Sequence, residues 1–432
     1  MADLSRIPAV CAKALVAVVG VTLMWGGGCA AAPLVPGDAA TETTPSESAN
    51  VNASASNAKP VKVLFVGNSF TFGRVDPVLS YNAAQVHDLT AAFNALDPRG
   101  TNSHPAGTPG EGSFEPHPWG GVPGVFKKMT EQAGLNYEVS LSTRNALPLR
   151  GHFLNTPGAA WNLRGNVASQ AWQKVVLQEL SDGTLPEGKG KSAHPQMFNV
   201  YADLLERFIH QGQALQSTEA QWFGGMASCQ VAGLSADTCE RVHVIAANPH
   251  ASAQTQVYLV QTWARPDMVE AHVPTHPDRA SPDGAPLPRQ GQALTPRYYA
   301  NLAEMSRDLR VAADAKVAGN LGFAGVVPVG DAFQRAVDTG VAQGRGFFAS
   351  SDATTATATA AGLDLWWLDR IHASKFGSYL SALTLFGRLT GLNPLSLGAS
   401  ETAARDLGIT PAQAQALQEV AAAQLAASKR LP

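Results

Sequence analysis

The chain has 432 residues, of which 45% are hydrophobic and 15% are charged, and its formal net charge is −3. A chain of this length and hydrophobicity can bury one sizeable core, and it does not require three domains. The small net charge and the absence of long runs of like charge exclude the basic surface that is typical of a nucleic-acid-binding protein.

The first 32 residues have the features of a targeting segment. The basic residues Arg6 and Lys13 precede the apolar run ALVAVVGVTLMW at 14–25. This run is as long as a signal-peptide core and shorter than a membrane-spanning helix. Ala30 and Ala32 fit cleavage by an ordinary signal peptidase, whereas Cys29 resembles the lipidated cysteine of a bacterial lipoprotein. We therefore expect export to the periplasm, the outer cell surface or the medium, with or without membrane attachment through Cys29. An uncleaved anchor is less favoured because the run is short.

Residues 33–60 are rich in Ala, Thr, Ser, Glu and Asn, which predicts a disordered tether. The chain has four cysteines, two of which lie in the predicted targeting segment. If those two are removed or acylated, Cys229 and Cys239 remain, and an oxidising compartment favours a disulfide between them. Two cysteines without placed histidine partners fall short of a structural zinc site, and the sequence predicts no metal site.

Five short apolar runs are predicted to form strands, at 61–66, 137–141, 174–178, 257–263 and 325–329. Helical patterns separate and follow them, at 122–133, 161–173, 197–210, 298–315, 331–339 and 374–389. Strands that alternate with helices predict a parallel sheet that is covered on both faces, with right-handed crossovers. The expected fold is thus a three-layer α/β/α domain around a mostly parallel five-stranded sheet.

This domain is predicted to span residues 61–395. It contains three long segments that we interpret as loop insertions, near 76–120, 216–249 and 265–296. Long loops in a compact domain are often functional, and the second of these holds the cysteine pair. The remaining residues, 396–432, are rich in Ala, Gln, Leu and Glu and predict a helical tail on the surface.

A serine follows the first predicted strand, in the segment GNSFT at residues 67–71. Parallel α/β sheets bind ligands outside the carboxyl ends of their strands, which is where Ser69 is expected. Gly67 permits a tight turn at this point. The alternative interpretation is that Ser69 only caps the helix that follows.

Near the other end of the sheet domain, Asp369 stands three residues before His372. A carboxylate at this spacing can accept a hydrogen bond from imidazole Nδ1, which leaves Nε2 free as a base. These residue types are common, and an isolated Asp-x-x-His is typical of a surface turn. The informative feature is the order, with Ser69 after the first strand and Asp-x-x-His before the last helix of the sheet domain.

Three blocks of the sequence resemble those of SGNH (GDSL-like) hydrolases. The segment GNSFT at 67–71 is similar to the nucleophile block of that family, in a G-N-S variant. Asp369-x-x-His372 is similar to its C-terminal block, and VVLQE at 175–179 is similar to its third-strand block in a Gln-Glu version seen among carbohydrate esterases. The resemblance covers roughly residues 61–391 and implies a flavodoxin-like α/β fold.

The resemblance also implies a catalytic triad, with Ser69 as the nucleophile, His372 as its base and Asp369 as the residue that orients the base. Such a triad hydrolyses an ester in two steps through an acyl-enzyme, and it requires no metal or organic cofactor. We therefore expect an exported carboxylic ester hydrolase that acts on acetylated carbohydrate or another small ester. Two alternatives stay open: a lipase, thioesterase or polyester depolymerase on the same triad, and a non-catalytic binding module on the cell surface.

The family further implies an oxyanion hole with three hydrogen-bond donors. The backbone N–H of Ser69 is the first, and the Gln178 side chain replaces the usual asparagine as the second. The third donor is normally a glycine N–H after the second strand. The corresponding loop here reads STRNAL at 142–147, so we assign the third donor to Asn145 or Ala146.

Several other polar or aromatic residues near these blocks have two interpretations. His152 either contacts substrate or makes a structural hydrogen bond, and the second is favoured. Glu179 either tunes the pocket or is a buried, paired carboxylate. Trp263, Trp366 and Trp367 either line a pocket or fill the core.

Overall fold

The computed structural model describes residues 59–91, 117–154, 162–280, 286–348 and 362–428. The predicted targeting segment at 1–32, including Cys29, lies outside the described residues, as does the predicted tether apart from its last two positions. Residues 92–116 of the first predicted insertion also lie outside. Among the described residues, no helix combines the length and the apolar character needed to cross a bilayer.

The described part of the chain contains ten strands: β1 Val61–Gly67, β2 His87–Asp88, β3 Tyr137–Thr143, β4 Lys174–Leu177, β5 Leu215–Thr218, β6 Val242–Ile245, β7 Gln256–Val260, β8 Thr275–Ala280, β9 Pro286–Pro288 and β10 Phe323–Val327. Its helices are α1 Ser69–Phe72, α2 Gly121–Gln132, α3 Leu149–Leu154, α4 Leu163–Val167, α5 Pro195–His210, α6 Glu219–Trp222, α7 Met226–Val231, α8 Ala236–Glu240, α9 Pro266–Val269, α10 Leu302–Gly319, α11 Val329–Asp338, α12 Lys375–Thr390, α13 Thr402–Asp406 and α14 Pro411–Ser428.

Six strands form the central sheet in the order β10-β7-β4-β1-β3-β2, and every neighbouring pair is parallel. The three-layer α/β fold predicted from the sequence is confirmed. The sheet has six strands instead of five because the two residues of β2 pair with the edge of β3. Two residues are too few to show hydrophobic periodicity, so this strand could not be predicted from the sequence.

The strand β1 shows why the sheet is covered on both faces. Val63 and Phe65 point into one buried cluster, which includes residues of α2, α11, α12 and α14. Leu64 and Val66 point into a second cluster on the opposite face, with residues of α3, α4 and α5. Since side chains alternate along a strand, an uninterrupted apolar run is what a doubly covered strand requires.

The five long strands have the order 2-1-3-4-5 when they are numbered along the chain, which is the flavodoxin-like order. The chain leaves β1 toward β3 on one side and returns to β4 on the other side. In open parallel sheets this reversal creates a crevice at the carboxyl ends of the strands. The residues that follow β1 and β4 therefore stand at the position where such folds bind ligands.

Two of the segments predicted as loop insertions contain secondary structure of their own. The one near 216–249 holds α6, α7 and α8 between the antiparallel strands β5 and β6. Cys229 and Cys239, both buried, form a disulfide that joins α7 to α8. In the segment near 265–296, α9 precedes the antiparallel pair β8 and β9.

The C-terminal residues are helical as predicted, but they are not an exposed tail. In α14, Ala414, Leu417 and Ala421 are fully buried in the same cluster as α12. The many alanines give α14 no strong contrast between its faces, so its sequence indicated a surface helix. Small side chains instead let the helix approach the core closely.

We expect Leu417→Ala to lower the free energy of unfolding by about 2–5 kcal/mol, because it removes a fully buried side chain. Leu395→Ala is the control, since Leu395 is 43% exposed; its cost should be within about 0.5 kcal/mol. Urea denaturation of both variants gives the comparison. Equal small costs would mean that α14 is a surface tail after all.

Candidate active site

Ser69 is the first residue of α1, immediately beyond the carboxyl end of β1. The preceding residue, Asn68, caps this helix, because its side-chain oxygen accepts a hydrogen bond from Phe70 N–H at 3.1 Å. The carbonyl oxygen of Asn68 also accepts from Thr71 N–H at 2.8 Å. The alternative that Ser69 itself is the cap is therefore wrong, and its hydroxyl is left for another partner.

That partner is His372. The Ser69 Oγ atom lies 2.8 Å from His372 Nε2, and His372 Nδ1 lies 2.5 Å from Asp369 Oδ2. The three side chains form a continuous hydrogen-bonded chain, although Ser69 is 303 residues from His372. A hydroxyl, an imidazole and a carboxylate in this order have the geometry of a serine hydrolase triad.

The turn from Asp369 to His372 is held by hydrogen bonds between the Asp369 carboxylate and the backbone of the same turn. Asp369 Oδ1 accepts the backbone N–H groups of Ile371 and His372, both at 2.9 Å. Arg370 has φ 62°, an unusual value for a residue with a side chain. Its guanidinium is paired with Asp364 at 2.6 Å, which holds the turn in this conformation.

The environment of Asp369 favours its charged form. Burial raises the pKa of this carboxyl, but the hydrogen bond and charge of His372, together with the two backbone N–H donors, outweigh burial and lower the pKa overall. An ionised carboxylate on Nδ1 fixes the tautomer of the imidazole and leaves Nε2 able to accept the serine proton.

Gln178, predicted as an oxyanion donor, lies beside the nucleophile turn but faces it with its oxygen. Gln178 Oε1 accepts from Asn68 N–H at 3.1 Å and from the Thr71 hydroxyl at 2.8 Å. Because a backbone N–H can only donate, the atom that it contacts must be the oxygen. The amide group donates to the carbonyl of Glu179. These contacts assign Gln178 to support of the turn, and they do not support the predicted oxyanion role.

The backbone N–H of Ser69 makes no hydrogen bond with other described residues, so it remains a candidate oxyanion donor. The loop with Asn145 and Ala146 is tied to the nucleophile turn, because Asn68 Nδ2 donates to Leu147 O at 3.1 Å. Ala146 is exposed and has φ 53°, a backbone conformation that favours glycine. Asn145 is half-buried. Both residues remain candidates for the third donor.

His152 is fully buried, and its Nε2 donates to the carbonyl of Gly67 at 2.8 Å. Burial lowers the pKa of His152 to about 4; the hydrogen bond to Gly67 opposes this effect and the charge of Arg144 adds to it. The favoured interpretation, a structural hydrogen bond, is supported, and contact with substrate is not, because the ring has no exposed surface. His152 instead fixes the last residue of β1 through its hydrogen bond to Gly67 O.

Glu179 is also buried, and its two carboxyl oxygens accept the backbone N–H groups of Leu149 and Leu180 at 3.1 and 2.7 Å. Burial raises the pKa of Glu179 to about 7; the two backbone hydrogen bonds act against this effect, and Asp182 adds to it. Leu149 begins α3, so Glu179 anchors the start of the helix that follows the Asn145 loop. The interpretation as a buried, partnered carboxyl is favoured over contact with substrate.

A buried charge network near the site was not predicted. Arg265, which is 7% exposed, donates to both oxygens of Asp267 at 2.9 and 2.6 Å and to the Ser181 hydroxyl at 2.7 Å. It connects the segments that follow β4 and β7. Burial lowers the pKa of Arg265, but Asp267, Asp182 and, more weakly, Asp369 raise it overall. The signal in the sequence is an Arg-x-Asp that begins five residues after β7, and it has no hydrophobic periodicity that would mark it as part of a site.

Comparison with known proteins gives distant structural neighbours only. No family model matches the chain, and no curated protein matches it. A DUF4886 family protein from Bacteroides uniformis is 12% identical, with a TM-score of 0.40, over 87% of this chain and 98% of that chain. A protein from Slackia heliotrinireducens, described as "a putative SGNH hydrolase", is 16% identical, with a TM-score of 0.31, over 77% of this chain and 100% of that chain. Similarity at this level does not extend to function.

We expect His152 alone to contribute a loss of up to roughly 3 kcal/mol of stability as the pH drops from about 6.5 to about 4. The pKa of this imidazole is lower in the folded state, so the unfolded chain binds a proton that the folded chain does not. His152→Gln keeps a donor for Gly67 O and removes the titration. Urea unfolding at about pH 7.5 and about pH 4.5 compares the two proteins. Equal losses of stability would show that His152 is not buried in its neutral form.

Proposed function

We propose that the chain is a serine hydrolase that cleaves carboxylic esters through an acyl-enzyme. The observation that carries this proposal is the 2.8 Å contact between Ser69 Oγ and His372 Nε2, with Asp369 on the other ring nitrogen. The position of Ser69 beyond β1, at the reversal of strand order, adds support because such crevices bind ligands.

In the proposed mechanism, His372 Nε2 takes the proton of Ser69 while Oγ attacks the ester carbonyl carbon. The negative oxygen that forms is stabilised by the backbone N–H of Ser69 and by a donor from the Asn145–Ala146 loop. The imidazolium then gives its proton to the departing alcohol, which leaves an acyl group on Ser69. Water, deprotonated by His372, attacks this group, and the acid is released as Ser69 regains its proton.

A small cavity lies in the core next to the turn that carries Ser69. Its volume is about 20 Å³, and most of the side chains around it are apolar, including Phe70, Val176 and Trp263. This volume holds about one water molecule, and neither Ser69 nor His372 lines the cavity, so it offers no site for an acyl chain. We propose short esters, such as acetyl esters of carbohydrates, as substrates, because the Gln-Glu block resembles that of carbohydrate esterases. A lipase, thioesterase or polyester depolymerase would need a site for its acyl chain on the outer surface.

A second candidate function is a non-catalytic binding module with the same fold. The observation that favours it is the side-chain amide of Gln178, which donates to Glu179 O and not toward Ser69. Loss of one oxyanion donor typically lowers kcat by about 10²–10³-fold. If the 145–146 loop also supplied no donor, one of the three would remain, and the protein would bind esters with little turnover.

The purified chain should hydrolyse p-nitrophenyl acetate, and Ser69→Ala should lower kcat by at least about 10³-fold because the nucleophile is gone. Ser396→Ala is the matched control, since it removes a hydroxyl from the 3₁₀ turn at 394–397 and should leave the rate unchanged. Equal rates for the wild type and Ser69→Ala would refute the triad. An activity that rises from acetyl to long-chain esters would refute the preference for short acyl groups.

We also propose export, with cleavage of the N-terminal segment. Mass spectrometry of the mature protein from a bacterial membrane fraction tests this proposal. A lipidated Cys29 at the N-terminus indicates membrane attachment, and an N-terminus near residue 33 without lipid indicates secretion. An intact Met1 would contradict processing altogether.

A further inference from the structure

Two buried tryptophans connect the end of β7 to the segment that carries Asp369 and His372. Trp263 stands three residues after β7, and Trp366 stands three residues before Asp369. Each ring is only 2% exposed. Their indole N–H groups donate in opposite directions, from Trp263 Nε1 to Ile371 O at 3.1 Å and from Trp366 Nε1 to Ala264 O at 3.0 Å.

The same two rings belong to an aromatic column that reaches His372. The Trp263 ring stacks on Phe70, with centroids 4.0 Å apart, and on Phe333, with centroids 4.8 Å apart. Phe333 meets Trp366 edge-on at 5.7 Å. Phe70 in turn meets the His372 ring at 5.6 Å in a T-shaped contact. Phe70 follows the nucleophile directly, so the column touches both sides of the Ser69–His372 contact.

These contacts act on a segment that belongs to no regular helix or strand. His372 lies in an irregular segment between Trp366 and Ala373, which form an isolated antiparallel bridge just before α12, and such segments are mobile unless they are anchored. Ile371 is the residue directly before His372, and rotation of its carbonyl group changes the direction of the next peptide. An indole N–H on that carbonyl therefore restricts the orientation of the imidazole.

We propose that Trp263 and Trp366 are positioning residues, which hold Asp369 and His372 in register with Ser69. We call this pair of indole–carbonyl hydrogen bonds the tryptophan clamp. The role in turnover rests on the proposed ester hydrolysis, but the anchoring of the segment does not. If the two rings only filled the core, removal of their N–H groups would lower the stability of the protein and leave the positions of Asp369 and His372 unchanged.

Trp263→Phe and Trp366→Phe test the clamp, because phenylalanine keeps an aromatic ring in the core and removes the N–H donor. The chain offers a matched control in Trp172→Phe. Trp172 is 4% exposed and its Nε1 donates to Val167 O at 2.8 Å, but it lies in the cluster on the opposite face of the sheet. Loss of its hydrogen bond should affect stability in the same way and leave the site unchanged.

For each clamp variant we expect kcat with p-nitrophenyl acetate to fall by about 10- to 100-fold with little change in KM, because a small misplacement of a catalytic group costs about this much. Amide hydrogen exchange in the peptide 364–374, followed by mass spectrometry, should be at least about five-fold faster. Trp172→Phe should match the wild type in both measurements. If Trp263→Phe does not fold, Trp366→Phe alone decides the question.

Unchanged exchange in 364–374 in the clamp variants overturns the proposal, whatever the activity. If the clamp variants exchange faster but have the same kcat as Trp172→Phe, the positioning role is overturned. If the wild type hydrolyses no ester faster than Ser69→Ala does, the proposed function fails. Faster exchange in the clamp variants would still support the clamp as an anchor of this segment.

Discussion

The hydrogen bond between Ser69 Oγ and His372 Nε2 joins two segments that are 303 residues apart, and the rest of the site is arranged around it. One partner is fixed by β1, a strand in the middle of the sheet that is buried from Val63 to Gly67. The other partner, His372, lies on an irregular segment that ends where α12 begins. A contact of 2.8 Å between such different supports requires that both be restrained, since a hydrogen bond weakens quickly with distance and angle.

The Ser69 side of this contact is restrained by buried side chains. Gln178 accepts from Asn68 and Thr71, and His152 donates to Gly67 O, so that the turn from β1 to α1 is held from two directions. Glu179 holds the start of α3 in a similar way. These polar groups are buried and most of their atoms are hydrogen-bonded, which is what makes their burial tolerable. One exception is His152 Nδ1, which is buried without a partner.

The histidine side is restrained by a different set of contacts. Asp369 closes a tight turn through two backbone N–H groups, and the indole of Trp263 binds the carbonyl between Asp369 and His372. Arg265 lies behind them in a buried network with Asp267 and Ser181. Charged, polar and aromatic contacts thus converge on a segment that lacks the support of a regular helix or strand.

The sequence by itself determined the α/β class, the five long strands and the three side chains that meet at the carboxyl end of β1. It could do so because buried strands and helices leave periodic patterns, and because parallel strands place their carboxyl ends on one edge. Only the tertiary structure decided the edge strand β2, the burial of α14 and the direction in which Gln178, His152 and Glu179 point. These depend on contacts between distant segments, and the position of a polar residue in a sequence block does not determine which way its side chain points. The sequence named Gln178 and His152 as neighbours of the site, but packing determined that both serve the turn beneath it.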